Sequence, residues 1–384
     1  MYKRTLFHLK IFFLIGLLII VMCTGCIQSK QKPSESLALE PLTSGIILDQ
    51  PSVLPNWSDG NYHDYNETVE MLTDFNDEFA NLVDVFSIGK SALGKDIWCI
   101  RLTNEKNTKV KLSCLIDGCI HGNEWEGCEA CLYLADYFLI NFGNNASVSN
   151  ILNTSEVYIV PLVNPDGRQA NTRWNANGID LNRNFNVDFG KLRGESIRIG
   201  KLFGLIKIPY IRLPLIGVIC NCGRKPFSEP ETQAMRDLME SLKNKSFSFY
   251  INCHTAEHGI ITPWGAVKPP FEMIQQEKNI YGAVKSWIVK NTEYENITHD
   301  YKTSGTAVDW CFKEFRVPSF TFEILSKDYE PWIKQGKHDN LTHWMKTTLP
   351  VFLYLLVNIE NLHQWNLPDK QPSLPEGVPP QPFH

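Results

Sequence analysis

His121-Gly122-Asn123-Glu124 sets an imidazole and a carboxylate three residues apart, just after an apolar run, Val110 to Ile116, that reads as a buried strand. A neutral histidine nitrogen and a glutamate oxygen are two of the usual ligands of a catalytic zinc ion. Such a pair recurs by chance in many chains, so it needs company before it means metal. A second histidine, His254, closes the alternating stretch Phe249 to Cys253, although a lone histidine there is ordinarily a core residue. Glu323 ends a further apolar run, Ser319 to Phe322. Burying a carboxylate at such a place costs free energy unless it has a partner or a task.

The remaining chemistry-bearing residues fall in an ordered series. Asn164-Pro165-Asp166-Gly167 is followed by Thr172-Arg173-Trp174-Asn175, and then by Gly178-Ile179-Asp180-Leu181-Asn182-Arg183-Asn184-Phe185. Tyr301-Lys302-Thr303-Ser304-Gly305 leads through Asp309-Trp310 to Glu323. With the two histidine segments, this set resembles the zinc carboxypeptidases, the family of pancreatic carboxypeptidase A, from about Tyr62 to about Asn361.

That resemblance implies a role for each position. His121, Glu124 and His254 match the three ligands of one Zn2+ per chain, with a fourth position left open for water. Glu323 matches the general base, which takes a proton from the attacking water and gives one to the leaving amine. Arg173 matches the arginine that stabilises the oxyanion; Arg168 lies close by in sequence, but the spacing to Asn182-Arg183 favours Arg173. Asn182 and Arg183 match a clamp for the substrate's terminal carboxylate, since guanidinium pairs in bidentate fashion with a planar carboxylate. Tyr301 matches the tyrosine that closes over it. Val308 matches the floor of the side-chain pocket; uncharged and flanked by Thr303, Thr306 and Ala307, it implies an apolar or aromatic terminal residue. Asn123 stands where some relatives carry an arginine. The implied partners are peptide or protein C-termini. The string from Thr172 to Arg183 also looks like that of relatives acting on cell-wall peptides, so a murein-peptide amidase or D-amino-acid peptidase is the alternative. A surface binding protein without activity is the third reading, opposed by the retention of every catalytic position.

Bulk properties bound the partners. At 384 residues with 43% hydrophobic and 11% aromatic content, the chain can bury a large core. A net charge of −5 gives no reason to expect nucleic acid. Lys3, Arg4 and Lys10 precede the apolar run Ile11 to Met22, shorter than the roughly 20 residues needed to span a bilayer. Gly25-Cys26 then resembles a lipoprotein processing site, with an uncleaved N-terminal anchor as the alternative. Both readings place the enzyme outside the cytoplasm, tethered to the membrane. Nine cysteines follow Cys26, an odd and irregular set that makes no small-protein disulfide framework. Cys99, Cys114, Cys119 and Cys253 read as buried thiols and Cys128 and Cys131 as packing residues, while a bridge from Cys220 or Cys222 stays open.

The elements that must position these residues alternate. Helical periodicity covers Tyr62 to Phe79, followed by strands at Val83–Ile88 and Asp96–Leu102. After the strand Val110–Ile116 come a helix at Glu126–Phe138 and a strand at Val157–Leu162. Ser228-Glu229-Pro230-Glu231 reads as a helix start capped by Ser228, the helix running to about Lys243 and feeding the strand that ends at His254. A mostly helical stretch, Pro269–Val289, the strand Ser319–Leu325 and a closing helix, Leu341–Leu362, complete the series. Alternation of this kind implies a mostly parallel, twisted sheet with helices on both faces. The resemblance makes it a single-domain, mixed eight-stranded α/β sheet. Residues 1–26 form the signal or anchor, 27–55 a flexible spacer, 56–365 the catalytic domain and 366–384 a Pro-rich tail. About 187–226 is an insertion, rich in Lys and Arg among Leu, Ile and Phe. It is expected to be a loop beside the active-site rim, with a membrane-docking surface as the other reading.

Overall fold

In the computed structural model, residues 53–58, 60–199, 201–202, 206–213, 217–297, 302–325 and 340–364 are described. The signal segment, most of the spacer, Tyr301 and the C-terminal tail therefore lie outside the described residues. No helix among the described residues is long and apolar enough to cross a membrane.

The chain runs α1 (Tyr65–Glu78), β1 (Val83–Lys90), β2 (Asp96–Leu102), β3 (Leu112–Gly118), α2 (Trp125–Asn141), α3 (Ala146–Thr154), β4 (Ser155–Val160) and α4 (Pro165–Ala170). Five short strands follow: β5 (Ser196–Ile197), β6 (Lys201–Leu202), β7 (Ile206–Lys207), β8 (Tyr210–Leu213) and β9 (Gly217–Asn221). Then come α5 (Pro230–Leu242), β10 (Phe247–His254), β11 (Gly259–Ile261), α6 (Gln275–Asn291), β12 (Glu295–Asn296), α7 (Ala307–Phe315), β13 (Ser319–Glu323), α8 (Leu341–Val357) and α9 (Ile359–His363).

The main sheet has eight strands in the order β1-β2-β4-β3-β10-β13-β11-β12. Its centre, β4, β3, β10 and β13, is parallel, while β1, β2 and β11 join antiparallel. Apolar clusters cover both faces, one built from α1, α2, α3, α6 and α8, the other from α5 and α7. Strand β10 is consequently buried at every position. The polar members of its alternation do not face water: Tyr250 Oη donates to Asp117 Oδ2 at 2.7 Å, and Asn252 donates to Asp117 Oδ1. All nine cysteines from Cys99 to Cys311 are free and buried, Cys220 and Cys222 included.

Several boundaries differ from the sequence expectation, each for a local reason. Val110 is 93% exposed and the strand starts at Leu112. Helix α5 starts at Pro230, so Glu229 and not Ser228 holds the cap position, while Ser228 Oγ donates to the Glu229 carboxylate at 2.7 Å. Helix α6 begins at Gln275 rather than Pro269, and the closing helix breaks at Asn358 into α8 and α9. Helix α3 was not foreseen; Asn145 caps it by accepting from the Ser147 and Val148 amides. The insertion is not a plain loop: β5, β9 and β8 form a three-stranded sheet and β6 pairs with β7.

Strands β3 and β10 carry the site only because α2 sits very close to them. A Cβ on Gly118 would lie 2.2 Å from Gly127 O, and one on Gly127 would lie 2.8 Å from Cys253 O. Backbone at both contacts cannot yield cheaply. Gly118→Ala should therefore lower stability in chemical denaturation by about 1–3 kcal/mol, the range for overpacking a filled interior.

Candidate active site

The central parallel strands all point their carboxyl ends at one edge, where open α/β sheets place their ligands. Gly118 at the end of β3 pairs with Cys253, and His254 at the end of β10 pairs with Glu323 at the end of β13. The turn after β3 then delivers His121, and Glu124 occupies the cap position of α2. Glu124 makes no side-chain cap bond. Its carboxylate turns to the histidines instead.

His121 Nδ1 lies 2.8 Å from Glu124 Oε1, His254 Nδ1 lies 2.7 Å from Glu124 Oε2, and the two Nδ1 atoms are 3.1 Å apart. All three residues are buried. The outer ring nitrogens are engaged elsewhere: His121 Nε2 meets Asp180 Oδ1 at 3.2 Å, and His254 Nε2 meets Asn252 Oδ1. An Nε2–H donated outward on each ring leaves the Nδ1 lone pairs facing the carboxylate. Two neutral imidazole nitrogens and one carboxylate, each steadied by an outer partner, are a donor set suited to zinc.

Arg173 reaches the same cluster. Its Nε donates to Asp180 Oδ2 at 2.9 Å, and its Nη1 lies 3.1 Å from His121 Nδ1 and 3.4 Å from Glu124 Oε1. Burial works to raise the Asp180 carboxyl, yet Arg173 and His121 drive it far down. Asp180 thus orients a candidate ligand and the arginine at once. Arg168 is elsewhere, with its guanidinium 3.5 Å from the centre of the Trp125 ring and Nη2 donating to His63 O at 2.6 Å. Of the two arginines, Arg173 is the one that contacts the His121–Glu124 cluster.

Glu323 stands beside His254 on the neighbouring strand. The residue is half-buried, but its Oε2 is sealed from solvent without a hydrogen-bond partner among the described residues. Burial, opposed by His254 and Arg173 and aided by the negative charges of Glu124 and Glu257, pushes its carboxyl up to about 8. His258 packs against the rings of Tyr294 and Trp344 at 4.9 and 5.3 Å, in an aromatic nest.

Asn182 and Arg183 form one 3-10 turn with Leu181. Asn182 Nδ2 is 3.1 Å from His254 Nε2, and its Oδ1 accepts from the Ala307 amide at 2.9 Å. Arg183 is buried; Nη1 donates to Asn182 O at 3.0 Å and Nη2 to Glu195 Oε2 at 3.2 Å, while Nε has no partner among the described residues. Val308 is buried in the first turn of α7, in the apolar cluster that includes Ala266 and Trp310. Thr306 caps that helix by accepting from the Asp309 amide. Tyr301 lies outside the described residues. Asp180 and Asn252 are the residues that motif reading passed over as site members. For Asp180 the signal was present, inside the string that ends in Arg183. For Asn252 only the fold reveals it.

The sequence profile described as zinc carboxypeptidase matches residues 68–200 and 220–340. Its unmatched stretch falls inside the expected insertion. Carboxypeptidase O from Bos taurus is 23% identical over 298 residues, which is 72% of this chain and 74% of that one. Carboxypeptidase A6 from Homo sapiens is 25% identical over 292 residues, covering 70% of this chain and 61% of that one. Among solved structures, carboxypeptidase A from Helicoverpa armigera superposes with a TM-score of 0.61 at 22% identity, over 83% of this chain and 78% of that one. At that identity the superposition speaks for the fold.

Proposed function

This chain belongs to the zinc carboxypeptidase family, and on that premise we propose that it removes the C-terminal residue of peptides or proteins, with Glu323 as general base. Its metal is zinc, held by His121, Glu124 and His254. When bound there, zinc supplies Lewis-acid activation of water and of the scissile carbonyl. Glu323 takes the proton of the attacking water and returns one to the leaving nitrogen; a carboxyl raised toward neutrality is suited to both transfers. Arg173 donates to the oxygen that becomes negative, and Asp180 keeps its guanidinium aimed.

What supports an exopeptidase most is the place of the clamp. Asn182 Nδ2 lies 3.1 Å from His254 Nε2, and Arg183 follows Asn182 on the same turn. A carboxylate held there would lie close to His254, as the terminus of an exopeptidase substrate must. The terminal side chain would enter beside α7, where Val308, Ala307, Thr303 and Thr306 offer no charge and favour an apolar or aromatic residue. Tyr301 would close over the bound terminus. The basic and then apolar residues before Cys26 support an enzyme tethered outside the cytoplasm.

Amidating the C-terminus of a peptide substrate should lower kcat/KM by roughly 100-fold or more, through lost charge-assisted hydrogen bonds. Equal cleavage of acid and amide would sink the exopeptidase reading and leave the zinc hydrolase standing. Glu323→Gln should retain zinc and lose turnover by about 10²-fold or more, the worth of a proton-transfer step. A loss below tenfold would assign the proton to another group.

A further inference from the structure

The carboxylate-binding arginine already has a carboxylate on it. Arg183 Nη2 donates to Glu195 Oε2 at 3.2 Å, from a side chain only 6% exposed to one that is 37% exposed. We propose that Glu195 is the resident counter-ion of the clamp, holding at Arg183 the place that a substrate's terminal carboxylate takes, so that every free-acid substrate binds by displacing it. Glu195 is thereby a specificity-determining residue, and this rests on the reading of Arg183 as the residue that grips the terminus.

The backbone under Glu195 is fixed with unusual care. It caps the 3-10 turn Leu192–Gly194 in the left-handed conformation, φ 58° and ψ 26°. A residue with a Cβ persists there only where its surroundings hold it. Its amide donates to Leu192 O at 3.1 Å, and its carbonyl accepts from the Cys220 amide at 2.8 Å. The next residue, Ser196, joins β5 to β9, and Ser304 Oγ lies 2.8 Å from Ser196 Oγ. Gly194 lies so close to Thr303 and Ser304 that a Cβ would come within 2.8 Å of Ser304 Cβ and 2.9 Å of the Thr303 backbone. The turn is therefore fastened to the segment that leads to Ala307, the residue whose amide fixes Asn182.

The side chain, by contrast, is free to leave. Its carboxylate is part-exposed and makes one hydrogen bond to the guanidinium, so water can receive it when a better-placed anion arrives. The arginine cannot follow, because its Nη1 is tied to Asn182 O and the guanidinium is buried. A buried guanidinium without an anion is costly; Asp180 supplies the larger attraction to Arg183, and Glu195 adds to it in the free enzyme. Displacement then sets a threshold: a terminus must present a full carboxylate at the right depth to replace Glu195, and a neutral or misplaced one leaves it in position.

Steady-state kinetics on a blocked dipeptide and its amide, with wild type, Glu195→Gln, Arg183→Ala and the double variant, test this. Glu195→Gln should lower KM for the free acid roughly two- to fivefold, the worth of a part-exposed ion pair, with kcat unchanged. The effect should vanish in the Arg183→Ala background, and the amide should show no change in either. An unchanged or raised KM for the free acid would overturn the proposal and make Glu195 a fixed support for Arg183. Should wild type cleave acid and amide equally, the clamp itself would fail and the counter-ion role with it, an outcome recognisable before any variant is made.

Discussion

Two imidazole nitrogens 3.1 Å apart, both turned on one buried carboxylate, set the terms for the rest of this structure. Such a group of donors is unstable on its own account. Each lone pair that points inward must be matched by a hydrogen given outward, or the rings rotate and the cluster disperses. Asp180 takes the outward hydrogen of His121, and Asn252 takes that of His254. Asn252 is held in turn by Asp117 on the adjacent strand, which also receives Tyr250. The polar side chains of two central strands are thus committed to the orientation of a single histidine.

The parallel centre of the sheet makes this arrangement available. Gly118, His254 and Glu323 stop level with one another because β3, β10 and β13 run in register. Residues more than a hundred positions apart then meet at one edge without any long loop to position them. Helix α2 closes the edge from behind, near enough that two glycines are required at the contact. Glu124, at its cap position, leaves its own helix uncapped to serve the histidines. A cap is worth on the order of 1 kcal/mol, and that carboxylate is turned to the two histidines instead.

The parts legible in the sequence were those whose residue types announce themselves locally. His121, Glu124, Arg173, Asn182, Arg183, His254 and Glu323 stand in short strings with recognisable spacing, and the structure gathers them at one edge. The mostly parallel sheet with helices on both faces followed from the alternation of apolar runs and amphipathic stretches, whereas its eight strands and mixed direction came from the family resemblance. What escaped depends on partners distant in the chain. Asn252 reads as a polar position in a strand until β3 brings Asp117 beside it, and Glu195 reads as a loop acid until the turn it caps is seen against Arg183. Helix α3 is only nine residues long, and although Val148, Ile151 and Leu152 fall at helical spacing, its run of Ser, Asn and Thr reads as a loop. The strands of the insertion are two to five residues long, below the length at which alternation can be read.

Everything here turns on where the metal sits. Diffraction from crystals grown with zinc, recorded above and below the zinc absorption edge, tests that most directly. One anomalous peak per chain is expected, about 2.0–2.2 Å from His121 Nδ1, His254 Nδ1 and a Glu124 oxygen, with Arg173 and Glu323 bordering its open side. A peak on other side chains, or density at the three residues with no anomalous signal, would contradict it.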